Sequence, residues 1–443
     1  MRFARATNDP KVLLIAYACE PGRGSEWGTS WAFVKELSRH QPVWLIAHAD
    51  NRDRLDAHLA AVPTRHPVHV TYVKLSRWLG WLRHSSYALL NVHYYFWQWR
   101  AGRIARRLHA QERFDVVQHV SFSRWWMPSA GAAIARAGTP HRAKFIFGPC
   151  VGGELMPEKF SAKVPLSARW GEFQRWVARA LWTRDPRLAR CIRDAAIVVA
   201  GTPSSIAGVT KLGAQRVEVL PSVMITDTTL IDAARSTRAA RIRDKTLRLV
   251  SAGGVNYYRG IDLTLRAIKQ SGITDFHYTH CCGGPKLEAM VELARELGIA
   301  DRVTFTGETK HAENLKHVAR ADALIHLVLR DSQGVVPEAL ALGVPVLALD
   351  HHSMTPILDE STGHKVPMQD ATQESVIADV ARTLRLWHDH RDLLTPMSHA
   401  CVARSAELSP QYRVRLFRKW YAQLTHGAPS ERAATPLPRA IAA

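Results

Sequence analysis

Short, almost purely apolar runs alternate along this chain with longer stretches in which apolar residues return every three or four positions. In the first half the short runs fall at 11–17, 43–48, 68–75, 115–120, 144–148 and 195–201, with a further one at 217–221. Runs of this kind, without polar alternation, belong to strands covered on both faces, and such strands are parallel. The pattern resumes at 247–253, 276–282, 302–306, 323–328, 344–350 and 364–366. Between the two series lies 226–245, charged, rich in Thr, Ala and Arg and without a buried-strand pattern, which is expected to connect two domains. Each half is therefore predicted to be a doubly wound α/β unit, with ligands at the carboxyl ends of the strands. The expected domains are 1–225 and 246–410. After Pro410, an amphipathic stretch with Leu416, Trp420, Tyr421 and Leu424 at helical spacing predicts that 411–426 returns to the first domain. The Ala- and Pro-rich segment 427–443 is expected to be a flexible tail.

Composition supports two globular domains: 443 residues at 47% hydrophobic content are enough for two cores. No run of apolar residues has the length of a membrane span, and Met1-Arg2-Phe3-Ala4-Arg5 does not lead into a signal-peptide core, so a cytoplasmic location is expected. The six cysteines form no Cys-x-x-Cys pair and suggest neither zinc nor a disulfide framework. The formal charge of +20 calls for an anionic partner: nucleic acid, an acidic membrane surface or a phosphorylated substrate. Segment 77–109 concentrates that charge, with six arginines and no carboxylate among Trp78, Trp81, Tyr87, Tyr94, Tyr95, Phe96, Trp97 and Trp99. It fits a helix at the headgroup level of a membrane, a stacking surface for single-stranded nucleic acid, or a core helix with its arginines in solvent.

Candidate chemistry gathers at strand ends. The first strand runs into Gly22, Gly24 and Gly28, close to a dinucleotide-binding fingerprint but one residue too long, with Asp50 where a ribose-binding acid would lie. An NAD(P)-dependent oxidoreductase or a sugar-nucleotide epimerase is therefore a rival reading. In the second half, Gly253 and Gly254 precede Arg259, and Gly283 and Gly284 follow the next strand; two such loops and an arginine fork can surround a diphosphate. His119 ends the strand at 115–120, placed either as a ligand contact or as a satisfied core histidine. Gly152, Gly153 and Glu154 belong to a further donor-rich loop, expected to face the same cleft as Gly24 and His119. Neither His351-His352 nor His388-Asp389-His390 has the spacing of a metal site, and no metal or cofactor is expected. No nucleic-acid module signature accompanies the charge.

The segment from Arg330 to Val346 combines a polar glycine loop, a proline at a helix start, Glu338 in the first turn and a glycine stop before a strand. Together with Ala18-Cys19-Glu20-Pro21-Gly22-Arg23-Gly24-Ser25-Glu26, Phe147-Gly148-Pro149-Cys150-Val151-Gly152-Gly153-Glu154 and Gly283-Gly284-Pro285, taken in order, it resembles the retaining GT-B glycosyltransferases of family four. These use nucleotide sugars to build bacterial polysaccharides and lipid-linked glycans. The resemblance implies two Rossmann-like domains facing across a cleft, with a C-terminal helix crossing back. It also implies that Glu338 accepts hydrogen bonds from the nucleotide ribose and that His119 meets the donor sugar. Gln333, Gly334 and Val335 would line the donor site with the glycine loops, and Gly24 would approach the donor. Implied partners are a nucleotide sugar, a glycan or lipid-linked acceptor and an anionic membrane at its cytosolic face, with no nucleic acid.

Two positions depart from the family pattern. Gly254 stands where an arginine is usual, so one of two diphosphate cations is missing and Arg259 is the other. Counting back from Glu338, the expected first acid is replaced by Arg330. Either Asp331, one residue nearer, takes that catalytic place, or Arg330 itself faces the donor.

Overall fold

In the computed structural model, residues 9–76, 79–82, 87–161, 164–239, 245–330 and 333–427 are described. Each apolar run becomes a strand. The first sheet holds β1 (Val12–Ala16), β2 (Val43–His48), β3 (Val68–Val73), β4 (Val116–Ser121), β5 (Lys144–Cys150), β6 (Ile197–Ala200) and β7 (Val217–Val219). The second holds β8 (Leu247–Ala252), β9 (Phe276–Cys281), β10 (Val303–Phe305), β11 (Ala323–His326), β12 (Val346–Asp350) and β13 (Gly363–Pro367). Both are parallel throughout, in the orders β3-β2-β1-β4-β5-β6-β7 and β10-β9-β8-β11-β12-β13. The central strands are buried on both faces, as Leu13, Leu14 and Ile15 of β1 illustrate, which is why they read as unbroken apolar runs.

The strand order reverses between β1 and β4 in one sheet and between β8 and β11 in the other. At such a point the two flanking loops leave in opposite directions and open a crevice at the strand ends. In the first unit Ile15 pairs with both Ile46 and His119. In the second, Ala323 and Leu324 pair with Leu249 and Val250.

The chain divides into two compact units. The described residues of Met1–Gly153, Arg175–Ser222 and Pro410–Ala443 make the first, and those of Glu154–Gln174 and Val223–Ser409 the second. The division differs from the expected domains in two places. Segment 154–174 goes with the second unit, where Met156 and Phe160 join the core of Leu247, Leu249 and Ile261. Segment 226–245 is not a bare connection. Its described part contains the helix Thr228–Ala239, whose Ile231 and Ala234 are buried three residues apart and pack with Leu315 and Val318 of the helix His311–Arg320. A single turn of apolar spacing sufficed to dock it, a signal masked by the charged residues around it.

The helix Pro410–His426 packs on the first unit, where Phe417 meets Phe33 at 5.3 Å, Arg418 pairs with Asp9 at 2.9 Å and the Tyr421 hydroxyl bonds Gln118. Of the tail, only Gly427 is described.

The basic aromatic segment forms most of the helix Tyr87–Glu112. Its Tyr94, Trp97, Ala101 and Ala105 are buried at helical spacing, with the Trp97 indole donating to the Val73 carbonyl at 3.1 Å. Phe96, Trp99 and the arginines Arg100, Arg103, Arg106 and Arg107 are exposed. One face is core and the other is a cationic surface that keeps two large aromatics in solvent. Among the described residues no helix is long and apolar enough to cross a membrane.

Candidate functional site

In the second unit the loops at the β8/β11 crevice are tied together through backbone. Gly253 N–H donates to the Cys281 carbonyl at 3.1 Å, Val255 N–H to the Gly283 carbonyl at 2.8 Å and Lys286 N–H to the Val255 carbonyl at 3.1 Å, which joins the loops after β8 and β9. Leu329 N–H donates to the Tyr258 carbonyl at 2.8 Å, which joins the loops after β8 and β11. Gly260, at φ +64°, lies so close to β11's loop that a Cβ there would stand 2.1 Å from the Leu327 carbonyl oxygen. Only glycine meets both demands at once.

Arg259 folds back over Gly253, whose missing side chain makes the space: a Cβ at Gly253 would lie 2.6 Å from the Arg259 Cζ. The guanidinium is half-buried and, among the described residues, has no ion pair and no side-chain hydrogen bond. Burial lowers its pKa from the ordinary arginine value, yet it stays charged at neutral pH. A partly desolvated cation without a counterion is costly unless an anion arrives.

Arg330 is differently placed. Its Nη1 lies 3.2 Å from Glu172 Oε1, and its guanidinium lies over the Tyr258 ring at 3.6 Å. Glu172 also accepts the Met156 N–H at 3.0 Å and the Tyr257 hydroxyl at 3.4 Å. The cation standing in place of the expected acid is thus neutralised inside the second unit. Asp331 lies outside the described residues.

Glu338 is buried in the first turn of the helix Val336–Ala341, and its Oε1 stands 2.9 Å from His311 Nε2. The hydrogen bond to Glu338 raises the His311 pKa against the opposing effect of burial. Gln333 spends its side chain elsewhere: Oε1 accepts the Val223 N–H at 3.4 Å and Nε2 bonds the Ser353 hydroxyl, so it braces the loop. Gly334 is exposed and Val335 half-buried beside it. His280 contributes from β9. Buried and held neutral with a pKa lowered to about 4, it has Nε2 2.9 Å from the Gly253 carbonyl oxygen, to which it donates.

In the first unit the Ser121 hydroxyl donates to the Ala18 carbonyl at 2.8 Å and accepts the Ala18 N–H at 3.2 Å, closing the ends of β1 and β4 together. Gly24 is exposed, in extended backbone with φ −72° and ψ 178°, and starts the helix Ser25–Leu37 without a side-chain cap. The first-turn N–H groups of that helix therefore have no capping side chain. Glu20, of the same loop, is buried and pairs with Arg23 at 3.1 Å and Arg54 at 3.3 Å. His119 is fully buried against Phe147, and burial lowers its pKa to about 3. The Tyr94 hydroxyl donates to the Phe122 carbonyl at 2.6 Å and lies 3.3 Å from His119 Nε2, which Gln98 Nε2 also approaches at 3.5 Å. Gly152 and Gly153 adopt φ +95° and +83°, Gly153 fitting against the Trp126 indole, with its carbonyl bonded to Arg179 Nη1 at 3.0 Å. Glu154 falls in the second unit.

The structure thus assembles Gly253, Gly254, Gly283, Gly284 and Arg259 at one switch point, with Glu338 in the first turn of the helix that follows β11. Sequence reasoning missed His311, His280, Tyr258 and Glu172, whose partners lie far away along the chain. An uncompensated guanidinium, glycine-bared backbone and an acceptor carboxylate suit an anion that also carries hydroxyl groups.

Residues 232–392 match the family model described as glycosyl transferases group 1. Over 136 residues the chain is 37% identical to D-inositol 3-phosphate glycosyltransferase of Nocardia farcinica, a match that takes in 29% of each protein's length. Among solved structures, sucrose-phosphate synthase from Thermosynechococcus elongatus superposes with a TM-score of 0.62 at 15% identity, covering 94% of this chain and 99% of that one. Anabaena HepE, solved with UDP and glucose, gives 0.55 at 13% identity over 94% of this chain and all of its own. These likenesses show the GT-B fold.

Proposed function

We propose that this protein is a glycosyltransferase that moves a sugar from a nucleoside diphosphate sugar to a hydroxyl acceptor, with retention of anomeric configuration. The observation that carries the reading is Arg259, a half-buried guanidinium without an ion pair among the described residues, folded over Gly253 where β8 and β11 part. The diphosphate would supply the missing anion. As the bond to the sugar breaks, negative charge grows on that diphosphate, and a donor fork fixed beforehand lowers the barrier without rearrangement. Glu338 would accept hydrogen bonds from the ribose hydroxyls, its carboxylate held in place by His311. Arg330, tied to Glu172, would shape the loop and leave the sugar to other groups, Asp331 among them. His119, neutral at physiological pH and fully buried, would back the sugar site from the end of β4; Gly24 would approach the donor, and Gly152, Gly153 and Glu154 would lie on the acceptor side.

The reading is tested by thermal shift against UDP-, GDP- and ADP-sugars, NAD and oligonucleotides, followed by product identification with the stabilising donor. A ligand that binds only the native state raises the melting temperature. One nucleotide sugar should do so; stabilisation by NAD alone would turn the reading to an oxidoreductase. Glu338→Gln keeps the helix and the shape but loses the anionic acceptor, and should weaken donor binding by about tenfold. Unchanged donor affinity in that variant would remove Glu338 from the site.

The acceptor is proposed to be a polysaccharide or lipid-linked glycan, met at the cytoplasmic face of a membrane. The +20 charge and the exposed Trp99 among Arg100, Arg103 and Arg106 support peripheral contact with anionic lipid. Liposomes containing anionic lipid should pellet the protein at low salt and release it as salt rises. Absence of pelleting at low salt would end the membrane part of the reading.

A further inference from the structure

The first unit has a pocket of about 320 Å³ that none of this chemistry uses. It forms because the helix Ala132–Ala135 is a single turn set between the longer helices Tyr87–Glu112 and Pro186–Asp194. The short helix leaves that layer unfilled. Small residues floor the gap, Gly102, Ala132 and Ala133 among them, and exposed Trp99 stands at its edge.

Its rim is cationic. Arg106, Arg136 and Arg190 line the pocket, all exposed, and none has an ion pair or side-chain hydrogen bond among the described residues. Arg187 is engaged: its Nη1 lies 2.7 Å from the Tyr95 hydroxyl, which donates to Asp185 at 2.9 Å. The lining acid Asp194 stands 4.0 Å from Arg142. Three unengaged arginines therefore line one pocket together with the small residues of its floor. That arrangement matches a doubly charged phosphate with a hydrocarbon chain attached, since forks pair phosphate oxygens and the small-residue floor accepts methylenes.

We propose that this pocket binds the phosphate monoester headgroup of a lipid, with the first part of its chain along the Gly102–Ala133 floor. The inference rests on the membrane part of the reading above and gives that contact a specific site. It is tested with the full chain by titration calorimetry against dihexanoyl phosphatidic acid below its micellar concentration, dihexanoyl phosphatidylcholine and inorganic phosphate. The phosphatidic acid should bind, and the other two should bind at least about tenfold more weakly. Arg106→Glu with Arg190→Glu, both on exposed positions, should lower that affinity by about tenfold or more. Ala132→Trp, which fills the floor, should lower it as well without touching the charge. Inorganic phosphate binding as tightly as the lipid would overturn the lipid assignment, and affinity unchanged in both variants would overturn the site. If the lipid fails to bind while anionic vesicles still pellet the wild-type protein, the pocket inference falls and the membrane reading stands.

Discussion

Arg259→Ala should lower kcat/KM for the nucleotide sugar by about a hundredfold or more while leaving the melting temperature unchanged or slightly raised. The two halves of that expectation come from the same geometry. In the free protein the guanidinium is half-buried over Gly253 with no ion pair among the described residues, so its removal strands no buried anion. It also relieves a desolvation cost. With the diphosphate bound, the same group would make charge-assisted hydrogen bonds that strengthen as the leaving group gains charge. Neighbouring Gly254 carries no side chain that could take over. Arg259→Lys keeps the charge and loses the planar fork, and should recover only part of the activity. A structural arginine would behave in the opposite way, losing stability together with activity. Steady-state kinetics with a melting curve on each variant separates the two.

Acidification should destabilise both units well above the pH at which carboxylates titrate. His119 is held near a pKa of about 3, and His280 and His351 near about 4, each chiefly by burial. Their pKa values in the folded chain lie below the unfolded value near 6.5, so the unfolded chain takes up protons first. The stability these groups contribute is complete above about pH 6.5 and is lost as pH falls toward the folded values. Each neutral histidine gives a slope of about 1.4 kcal/mol per pH unit, so the first unit should lose about that much from His119 and the second about twice as much from His280 and His351. His311 has the opposite sign: raised by Glu338, it adds stability that is lost as pH rises through its folded value. Below about pH 6 it is charged in both states and no longer contributes a slope. Denaturant melts from pH 7.5 to 4.5 measure these slopes. His119→Phe should flatten the first unit's dependence, and equal slopes in variant and wild type would exclude His119 as its source.

The fold was legible because its strands are covered on both faces and so stand out as apolar runs, from Leu13–Ile15 of β1 to Leu347–Leu349 of β12. The amphipathic stretch carrying Leu416, Trp420 and Tyr421 likewise announced a helix that needed a surface to cover, and it found one against Phe33. Less legible was anything decided by partners distant along the chain. Nothing near Glu338 marks His311 as its neighbour, and nothing near Arg330 marks Glu172. The segment containing Glu172 was assigned by its place in the chain to the first domain, while Met156 and Phe160 bury themselves in the second. Glycine placement was readable in a different way. Gly253 and Gly260 follow and precede regular elements as any tight turn would, but their reason is contact, with Arg259 in one case and the Leu327 carbonyl in the other. Gln333, in a loop that reads as a ligand loop, is consumed by bracing it.

The most direct measurement compares a nucleoside diphosphate with the corresponding monophosphate, for the base that the donor screen selects, on wild type and on Arg259→Ala. If Arg259 meets the diphosphate, wild type should favour the diphosphate by about tenfold or more, and the preference should collapse in the variant. A preference that survives the substitution intact would contradict the assignment of the β8/β11 crevice as the diphosphate site.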